Sequence, residues 1–376
     1  MVYSISLLGS ALLTASLARA SPSGGVTKSE LPFSIFDGIT TPEEVSVKGG
    51  LDLPKLSPGV NGTSYDWWYF DAVSATDQKA VTLVFYNFAN GSLAIPYFGG
   101  PLTTDISITF ANGTTSRKYA AANLGAPLEV SNKGIAAEFK GENSSYSFTG
   151  TSLEPGAPNP VYNIEIDDPA NGVSGSIKFE SVSPPHYPCD LNKPGVSEFL
   201  LPNIWWANAI PDSNVVADLV IDGETFNLQG FGYHDKNWGV GSLEAATKTW
   251  YWGHGRVGPY SLVWFDATDK TGQEHFSSWV TKDGEVLSMS CADQATLVRP
   301  WGDNSDFPPA IGQAAPSGFN ISFDMDDGTK FLANFTTETV QWDLGGFYKR
   351  LLGPISGGIE GGEQYEGRSL CEQFQF

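Results

Sequence analysis

The stretch from Gly230 to Gly239 concentrates the side chains best suited to chemistry. A Tyr, a His, an Asp, a Lys, an Asn and a Trp lie there, directly after a segment that alternates like a β-strand. A loop at a strand end can aim several hydrogen-bond donors at one mouth of a barrel. We therefore expect Tyr233 and Lys236 to be catalytic donors and Trp238 to bind substrate. A polar turn that caps the strand ends is the alternative.

Two alternating segments on either side of a Gly-Pro turn supply further candidates. Trp252, His254 and Arg256 fall on one face of the first segment, because side chains alternate along a strand. Trp264 and Asp266 share a face of the second. The charged side chains at the ends of these faces would be costly to bury in an apolar core. We therefore expect both faces to line one cavity with apolar walls. His254 and Arg256 are then catalytic candidates, and the other three bind substrate. An Arg256–Asp266 ion pair across the strands is the alternative.

An aromatic strand near the start of the chain offers the opposite wall of such a cavity. The run Asp66-Trp67-Trp68-Tyr69-Phe70-Asp71 places Trp67 and Tyr69 on one face, and the next residue of each on the other. One face should belong to the core, and the pattern does not say which. We take Trp67 and Tyr69 as substrate-binding residues.

The elements that must position these residues are strands. Aromatic residues make up 13% of the chain, and its 42 Gly and 24 Pro separate many short alternating runs, which is typical of an all-β protein. The prolines between Ser183 and Pro188 exclude a central strand. We therefore place the domain linker in the segment from Val182 to Asn214 and expect two β domains, 61–210 and 211–376, after an extended segment, 21–60. Gly345 to Leu352 is a candidate short helix.

The N-terminus predicts export. An apolar run from Ile5 to Leu17 is too short to span a bilayer and ends in Ala18-Arg19-Ala20, which is typical of a signal peptide cleaved after residue 20. We therefore expect an extracellular or secretory-pathway protein without a membrane span. Six Asn-x-Ser/Thr motifs are candidate N-glycosylation sites: Asn61, Asn90, Asn112, Asn143, Asn320 and Asn334.

Charge and composition narrow the classes of molecule that the protein is expected to bind. A net charge of −21 argues against nucleic acid, because phosphate binding needs clustered Lys and Arg. No Cys or His cluster has metal-ligand spacing, and no phosphate loop or dinucleotide fingerprint is present, so we expect no metal and no cofactor. Cys189, Cys291 and Cys371 predict one disulfide and one free thiol, with the pairing open. The expected partner is an apolar small molecule, and the oligomeric state stays open.

Three motifs resemble those of a known superfamily, the hydroxyneurosporene synthase (carotenoid 1,2-hydratase) and AttH-like proteins. The opening run from Asp66 to Asp71 resembles its first motif, and the run from Gly232 to Gly239 its central motif. The run from Gly362 to Gly367, with Cys371, looks like the end of its fungal branch. That branch contains lipocalin-like Diels–Alderases, and within it a chain with a signal peptide most resembles the secreted hetero-Diels–Alderases of tropolonic sesquiterpenoid biosynthesis.

The resemblance implies two tandem lipocalin-like β-barrel or sandwich domains, with a ligand cavity between or within them. In hydratase members the central motif usually has a second His where this chain has Lys236. A later Tyr-x-Asp pair of those enzymes corresponds most nearly to Trp264 and Asp266. These departures argue against addition of water to an alkene.

The resulting expectation is a cofactor-independent pericyclase. A cycloaddition needs its two reactants held in one orientation, which can remove about 7 kcal/mol or more of the barrier. The expected reaction is an intermolecular hetero-Diels–Alder cycloaddition, for example of a quinone methide with a terpene alkene. A lipocalin-like carrier of an apolar molecule, and a hydratase or isomerase that acts on a terpenoid, are the alternatives.

Overall fold

The computed structural model describes residues 25–97 and 99–376, and in this part the chain is almost entirely β-structure. The expected signal peptide, residues 1–20, lies outside the described residues. The elements up to the first long hairpin are β1 (Thr27–Leu31), β2 (Thr41–Pro42), β3 (Leu56–Ser57), β4 (Tyr65–Ser74), β5 (Ala80–Phe88), β6 (Leu102–Thr109), β7 (Thr115–Ala121), β8 (Ala126–Ser131), β9 (Gly134–Lys140), β10 (Ser145–Thr151), β11 (Val161–Asp168), β12 (Val173–Ser181), β13 (His186–Tyr187), β14 (Asp190–Leu191), β15 (Phe199–Leu201), β16 (Ile204–Ile221) and β17 (Glu224–Gly239).

The remaining elements begin with a single helical turn. They are α1 (Leu243–Ala246), β18 (Thr247–Val257), β19 (Tyr260–Asp269), β20 (Glu274–Lys282), β21 (Glu285–Ser290), β22 (Thr296–Trp301), β23 (Gly318–Asp324), β24 (Lys330–Thr336), β25 (Thr339–Leu344), β26 (Tyr348–Ile359) and β27 (Tyr365–Gln375). The short helix expected at 345–352 is wrong, because most of that segment belongs to β26, which pairs with β27. No helix in the described part of the chain is both long and apolar enough to cross a bilayer.

Two curled antiparallel sheets form the molecule. The first has the order β1-β8-β9-β10-β11-β12-β16-β17-β4-β5-β6-β7, with β13 to β15 attached to β16 or to one another. The second has the order β21-β20-β19-β18-β27-β26-β24-β23-β22, with β25 added to β26. Each sheet curls into a half-barrel, so the expected all-β, lipocalin-like architecture is confirmed. The third pairing, β2 with β3, belongs to the N-terminal segment.

The two sheets divide the chain at a different place from the expected boundary. Residue 210 lies in the middle of β16, which pairs along its length with β17 and, from Ser213 to Ile221, with β12. Both long strands therefore belong to the first sheet, and the second sheet begins only at Thr247, after α1. The proline-rich segment from Ser183 to Pro188 contributes only the two-residue strand β13.

The apolar residues form three cores. One lies inside the first half-barrel and includes Trp68 and Phe70 of β4. Another lies inside the second half-barrel and includes Trp264 of β19. The third lies between the sheets, where Tyr69 of β4 meets Trp252 of β18 at 5.2 Å in an edge-on pair. Such pairs contribute about 0.5–1.5 kcal/mol beyond burial. The sheets therefore pack through an aromatic layer that belongs to both.

The cysteines connect the two sheets. Cys189, beside β14, forms a disulfide with Cys291, directly after β21, and Cys371 is free and buried. The expected count of one disulfide and one free thiol is confirmed, and the structure settles the pairing.

The six glycosylation motifs lie at accessible positions. The asparagines of four motifs are exposed, and those at Asn61 and Asn334 are half-buried. Asn334 pairs with Asn320 across β23 and β24, where its Nδ2 donates to Asn320 Oδ1 at 2.8 Å. Glycosylation of these positions stays a prediction.

Candidate active site

A cleft opens between the two sheets, at the aromatic layer. It encloses about 560 Å³ of empty space, open solvent at its mouth included. Both sheets, the connection between β5 and β6, and α1 contribute to its wall. The polar and aromatic lining residues include Trp67, Tyr69, Tyr86, Asp235, Trp250, Trp252, Trp342, Tyr348, Arg350 and Glu372.

Strand alternation explains which side chains reach the cleft. Along β4, Trp67 and Tyr69 face it, while Trp68 and Phe70 face the core of the first half-barrel. Along β17, Asp235 lies directly opposite Tyr69 in the register and faces the same way. Gly230 to Gly239 is therefore the buried half of a strand, and the loop expected there is wrong. The stretch extends β17 because it pairs with β4 on one side and with β16 on the other.

Asp235 is one of two carboxyl groups that line this cleft. Its Oδ2 accepts hydrogen bonds from Trp206 Nε1 at 2.7 Å and from Tyr233 Oη at 2.8 Å. Within the described chain its Oδ1 has no hydrogen-bond partner, and that atom is not sealed from solvent. Burial raises the pKa of Asp235 well above its usual value, and the two hydrogen bonds oppose the shift only in part. The raised pKa favours the protonated form of Asp235, which has one oxygen fixed and the other turned to the cleft.

A second polar group lies on the wall formed by β26 and β27. Arg350 and Glu372 are opposite one another in the register, and Arg350 Nε donates to Glu372 Oε1 at 3.1 Å. The hydroxyl of Tyr348 donates to the same oxygen at 2.5 Å. Burial raises the pKa of Glu372, and the adjacent guanidinium opposes the rise.

Tyr233 connects Asp235 to a pair of residues behind the cleft. Its ring stacks on His254 at 4.7 Å, and His254 Nε2 lies 2.9 Å from Asp71 Oδ2. Trp252 contacts the Tyr233 ring edge-on at 5.1 Å. Of the expected catalytic residues, Tyr233 therefore touches the acid of the cleft, and His254 lies one ring further from it.

Lys236 and Trp238 face away from the cleft. They lie on the other face of β17, where Lys236 Nζ donates to Asp66 Oδ1 and lies 3.7 Å above the ring of Trp68. Trp238 Nε1 donates to the carbonyl of Glu43 in the N-terminal segment at 2.7 Å. Both residues belong to the inside of the first half-barrel, so the structure does not bring them to the cleft.

Arg256 and Asp266 have other partners than those expected. The guanidinium of Arg256 makes two hydrogen bonds to the Asp212 carboxylate, at 2.9 and 2.8 Å, so the alternative Arg256–Asp266 pair is also wrong. Asp266 instead accepts from Arg299 at 2.6 Å. Trp264 pairs with Gly253 in the register and therefore faces the second half-barrel, on the opposite side of the sheet from Trp252.

Asp235, Arg350 and Glu372 were not predicted from the sequence as site residues. Asp235 carried a usable signal, because it shares its strand face with Tyr233. Arg350 and Glu372 carried none, because only the pairing of β26 with β27 brings them together. In the described part of the chain no three His, Cys, Asp or Glu side chains are grouped as a metal site requires.

The fold and the cleft define a lipocalin-like β protein with an aromatic cavity and a buried acid. The chain belongs to the Diels-Alderase-like family, whose model matches residues 37–301. It is 47% identical to the quinolone epoxide rearrangement protein penF of Penicillium thymicola over 346 residues, 92% of this chain and 94% of penF. It is 44% identical to the quinolone epoxide rearrangement protein asqO of Emericella nidulans over 371 residues, 98% of each chain.

The solved structure of CghA with Sch210972 has the same fold. Its TM-score is 0.74 at 16% sequence identity, and the match covers 93% of this chain and 98% of CghA. The resemblance to the fungal Diels–Alderase branch is thus confirmed at the level of the family. Because the relatives are enzymes, they also support the expectation that this protein is an enzyme. The finer assignment to the tropolonic sesquiterpenoid enzymes has no support among these relatives.

Proposed function

We propose that the protein isomerises an epoxide on an apolar, quinolone-like substrate, with Asp235 as the general acid. The observation that carries the proposal is the buried carboxyl of Asp235, whose one oxygen is fixed by Trp206 and Tyr233 while the other faces an aromatic cleft. The names of two relatives, penF and asqO, supply the reaction class.

The steps balance without a cofactor. Asp235 gives its proton to the epoxide oxygen as one carbon–oxygen bond breaks, which leaves a hydroxyl group and positive charge on carbon. The ring faces of Trp67, Tyr69 and Trp252 line the space where that charge develops, and aromatic faces stabilise cations. An internal nucleophile of the substrate then bonds to the carbon and loses a proton to the Asp235 carboxylate. The product is an isomer of the substrate, and the acid is restored.

Replacement of Asp235 by Asn tests the proposal, because Asn keeps the shape and a hydrogen-bond donor but has no proton to transfer. Turnover of an epoxide-bearing quinolone should fall roughly 10²- to 10⁴-fold, the contribution typical of general acid–base catalysis. Asp266→Asn is the matched control, since burial also raises the pKa of Asp266, to about 6, yet it faces the other core. Turnover of that variant should stay within a few-fold of wild type. Equal turnover by wild type and Asp235→Asn would exclude Asp235 as the acid.

A cycloaddition is the second candidate, and the family and the apolar walls favour it. In that case the cleft holds a diene and a dienophile, including the hetero-Diels–Alder pair of a quinone methide and a terpene alkene, and Asp235 only donates a hydrogen bond. Asp235→Asn would then keep most of the rate, because an amide N–H also donates. The same variant therefore separates the two reactions.

We further propose that the chain is exported and N-glycosylated, on the evidence of its N-terminal run and its accessible Asn-x-Ser/Thr motifs. Treatment of the protein from a fungal secretory host with an N-glycosidase should lower its mass. An unchanged mass would contradict the use of these sites.

A further inference from the structure

Arg350 and Glu372 leave one donor and one acceptor unused at the cleft. Glu372 Oε1 accepts from both Arg350 and Tyr348, but Oε2 has no hydrogen-bond partner among residues 25–97 and 99–376. Over the same residues, Arg350 Nη1 has only a 3.5 Å contact with Gln341, and Nη2 has none. Neither free atom is sealed from solvent, although the two residues are only 3% and 7% exposed.

Aromatic rings fix the position of the guanidinium. Its central carbon lies 5.4 Å from the ring centres of Tyr69 and Tyr348, and 5.8 Å from that of Trp342. A buried ion pair contributes little to stability compared with well-packed apolar residues. A role in binding gives a physical reason for charges held so firmly at a cavity wall.

The free donor and the free acceptor match one edge of a cis amide. In a lactam the ring holds the N–H and the C=O on the same side, so the edge offers one donor beside one acceptor. A lactam carbonyl oxygen placed there would accept from Arg350 Nη2, and its N–H would donate to Glu372 Oε2. The side chains of Tyr86, Trp250 and Trp252 line the same cleft, and aromatic walls suit a flat ring system.

We propose that Arg350 and Glu372 bind the lactam edge of the substrate and so determine its orientation in the cleft. The inference rests on the proposed function, in that it assigns the remaining polar wall of the same cleft to a lactam-bearing substrate such as a 2-quinolone. The lactam end lies at β26 and β27, and the reacting end lies toward Asp235 on β17.

Binding of two simple probes tests this assignment. Quinolin-2(1H)-one and its N-methyl derivative differ only in the N–H, and quenching of the cleft tryptophans or calorimetry gives their Kd values. Wild type should bind the parent lactam roughly ten- to hundred-fold tighter, since a hydrogen bond to a charged group is lost on methylation.

A double substitution shows whether these two residues make the discrimination. Arg350→Met with Glu372→Leu removes both charges together, because a single change would strand a buried charge and endanger folding. The folded double variant should bind both probes with similar Kd values. Arg368→Met with Glu338→Leu is the matched control, since it removes another ion pair of β27 outside the cleft lining and should keep the discrimination.

The outcomes separate this inference from the proposed reaction. Equal Kd values for the two probes in wild type, or discrimination that persists in the folded double variant, would overturn the lactam assignment even if the enzyme turns over an epoxide. Discrimination in a wild-type protein that fails to turn over any epoxide would leave the assignment standing and refute the reaction. Asp235→Asn should keep the discrimination while it loses turnover.

Discussion

Two hydrogen bonds to one oxygen of Asp235 set its acidity as well as its position. The Tyr233 and Trp206 bonds both stabilise the ionised carboxylate, so they hold the pKa of Asp235 below the value that burial alone would give. The pKa of Asp235 is thus adjusted in part by Tyr233, a residue predicted from the sequence to be catalytic.

Tyr233→Phe should therefore shift the pH profile of turnover. Activity needs the protonated acid and falls as pH rises through the pKa of Asp235. Loss of the Tyr233 hydroxyl raises that pKa, so the alkaline limb should move to higher pH while the maximal rate falls several-fold from looser positioning. Tyr146→Phe removes a similar bond, to Asp168 outside the cleft, and should leave the limb unchanged. An alkaline limb that moves to lower pH would contradict this account.

Arg256→Met should affect stability rather than catalysis. The guanidinium is an ion-pair partner of the buried Asp212 and does not line the cleft. Loss of the pair should lower the free energy of unfolding by about 1–3 kcal/mol, because a buried carboxylate loses most of its hydrogen bonds. Turnover should stay within a few-fold of wild type. A large loss of rate at unchanged thermal stability would return Arg256 to the active site.

At the scale of the elements, the buried side chain of Lys55 attaches the N-terminal segment around β2 and β3 to the first half-barrel. It does so by pairing with two acidic side chains. Lys55 Nζ donates to Glu43 at 2.5 Å and to Glu198 at 2.7 Å. Burial raises the pKa of Glu198 to about 7, although Lys55 opposes the rise. Burial thus outweighs the attraction of Lys55, and folding favours the protonated form of Glu198.

Glu198→Gln should reduce the pH dependence of stability. A folded pKa of about 7 against an ordinary 4.5 means that the contribution of Glu198 is full below about pH 4.5 and is lost as pH rises through about 7. The wild type should therefore lose stability between pH 5 and 8 in urea unfolding, and the variant should lose less. An equal loss in both proteins would show that Glu198 is ionised throughout.

The alternation of strands was predictable from the sequence, but the pairing register decided the site. Alternation correctly put Trp67 and Tyr69 on one face of β4. The error at Trp264 came from register: the two-residue turn pairs Val257 with Tyr260, so Trp252 shares its face with Phe265. Arg350 and Glu372 lay beyond sequence reasoning altogether, because nothing local predicts that β26 and β27 pair with those two residues opposite.

For the molecule as a whole, the disulfide is a covalent link between the sheets that form the cleft. Cys189 and Cys291 are 102 residues apart in the chain, and closing a loop of that length reduces the entropy of the unfolded state considerably. The link joins the edge that carries β13 and β14 to the strand pair β20–β21.

Replacement of both bridged cysteines by Ser should lower the free energy of unfolding by about 2–5 kcal/mol. Because the bridge joins the two sheets whose faces form the cleft, binding of quinolin-2(1H)-one should weaken as well. Cys371→Ala is the control, since that thiol is free and lies in the core of the second half-barrel. Equal melting temperatures for the double Ser variant and the wild type, without reductant, would contradict the prediction.

The two faces of β17 have different structural roles. Residues such as Asp235 touch whatever occupies the cleft, whereas Lys236 and Trp238, interleaved with them, attach the strand to the first half-barrel and its N-terminal segment. A mutation on the cleft face can therefore alter substrate preference while the interleaved positions keep the strand in place. An insertion of one residue would exchange the two sets and destroy both. New specificities on this scaffold should accordingly arise by substitution at alternate positions, and hardly ever by changes in strand length.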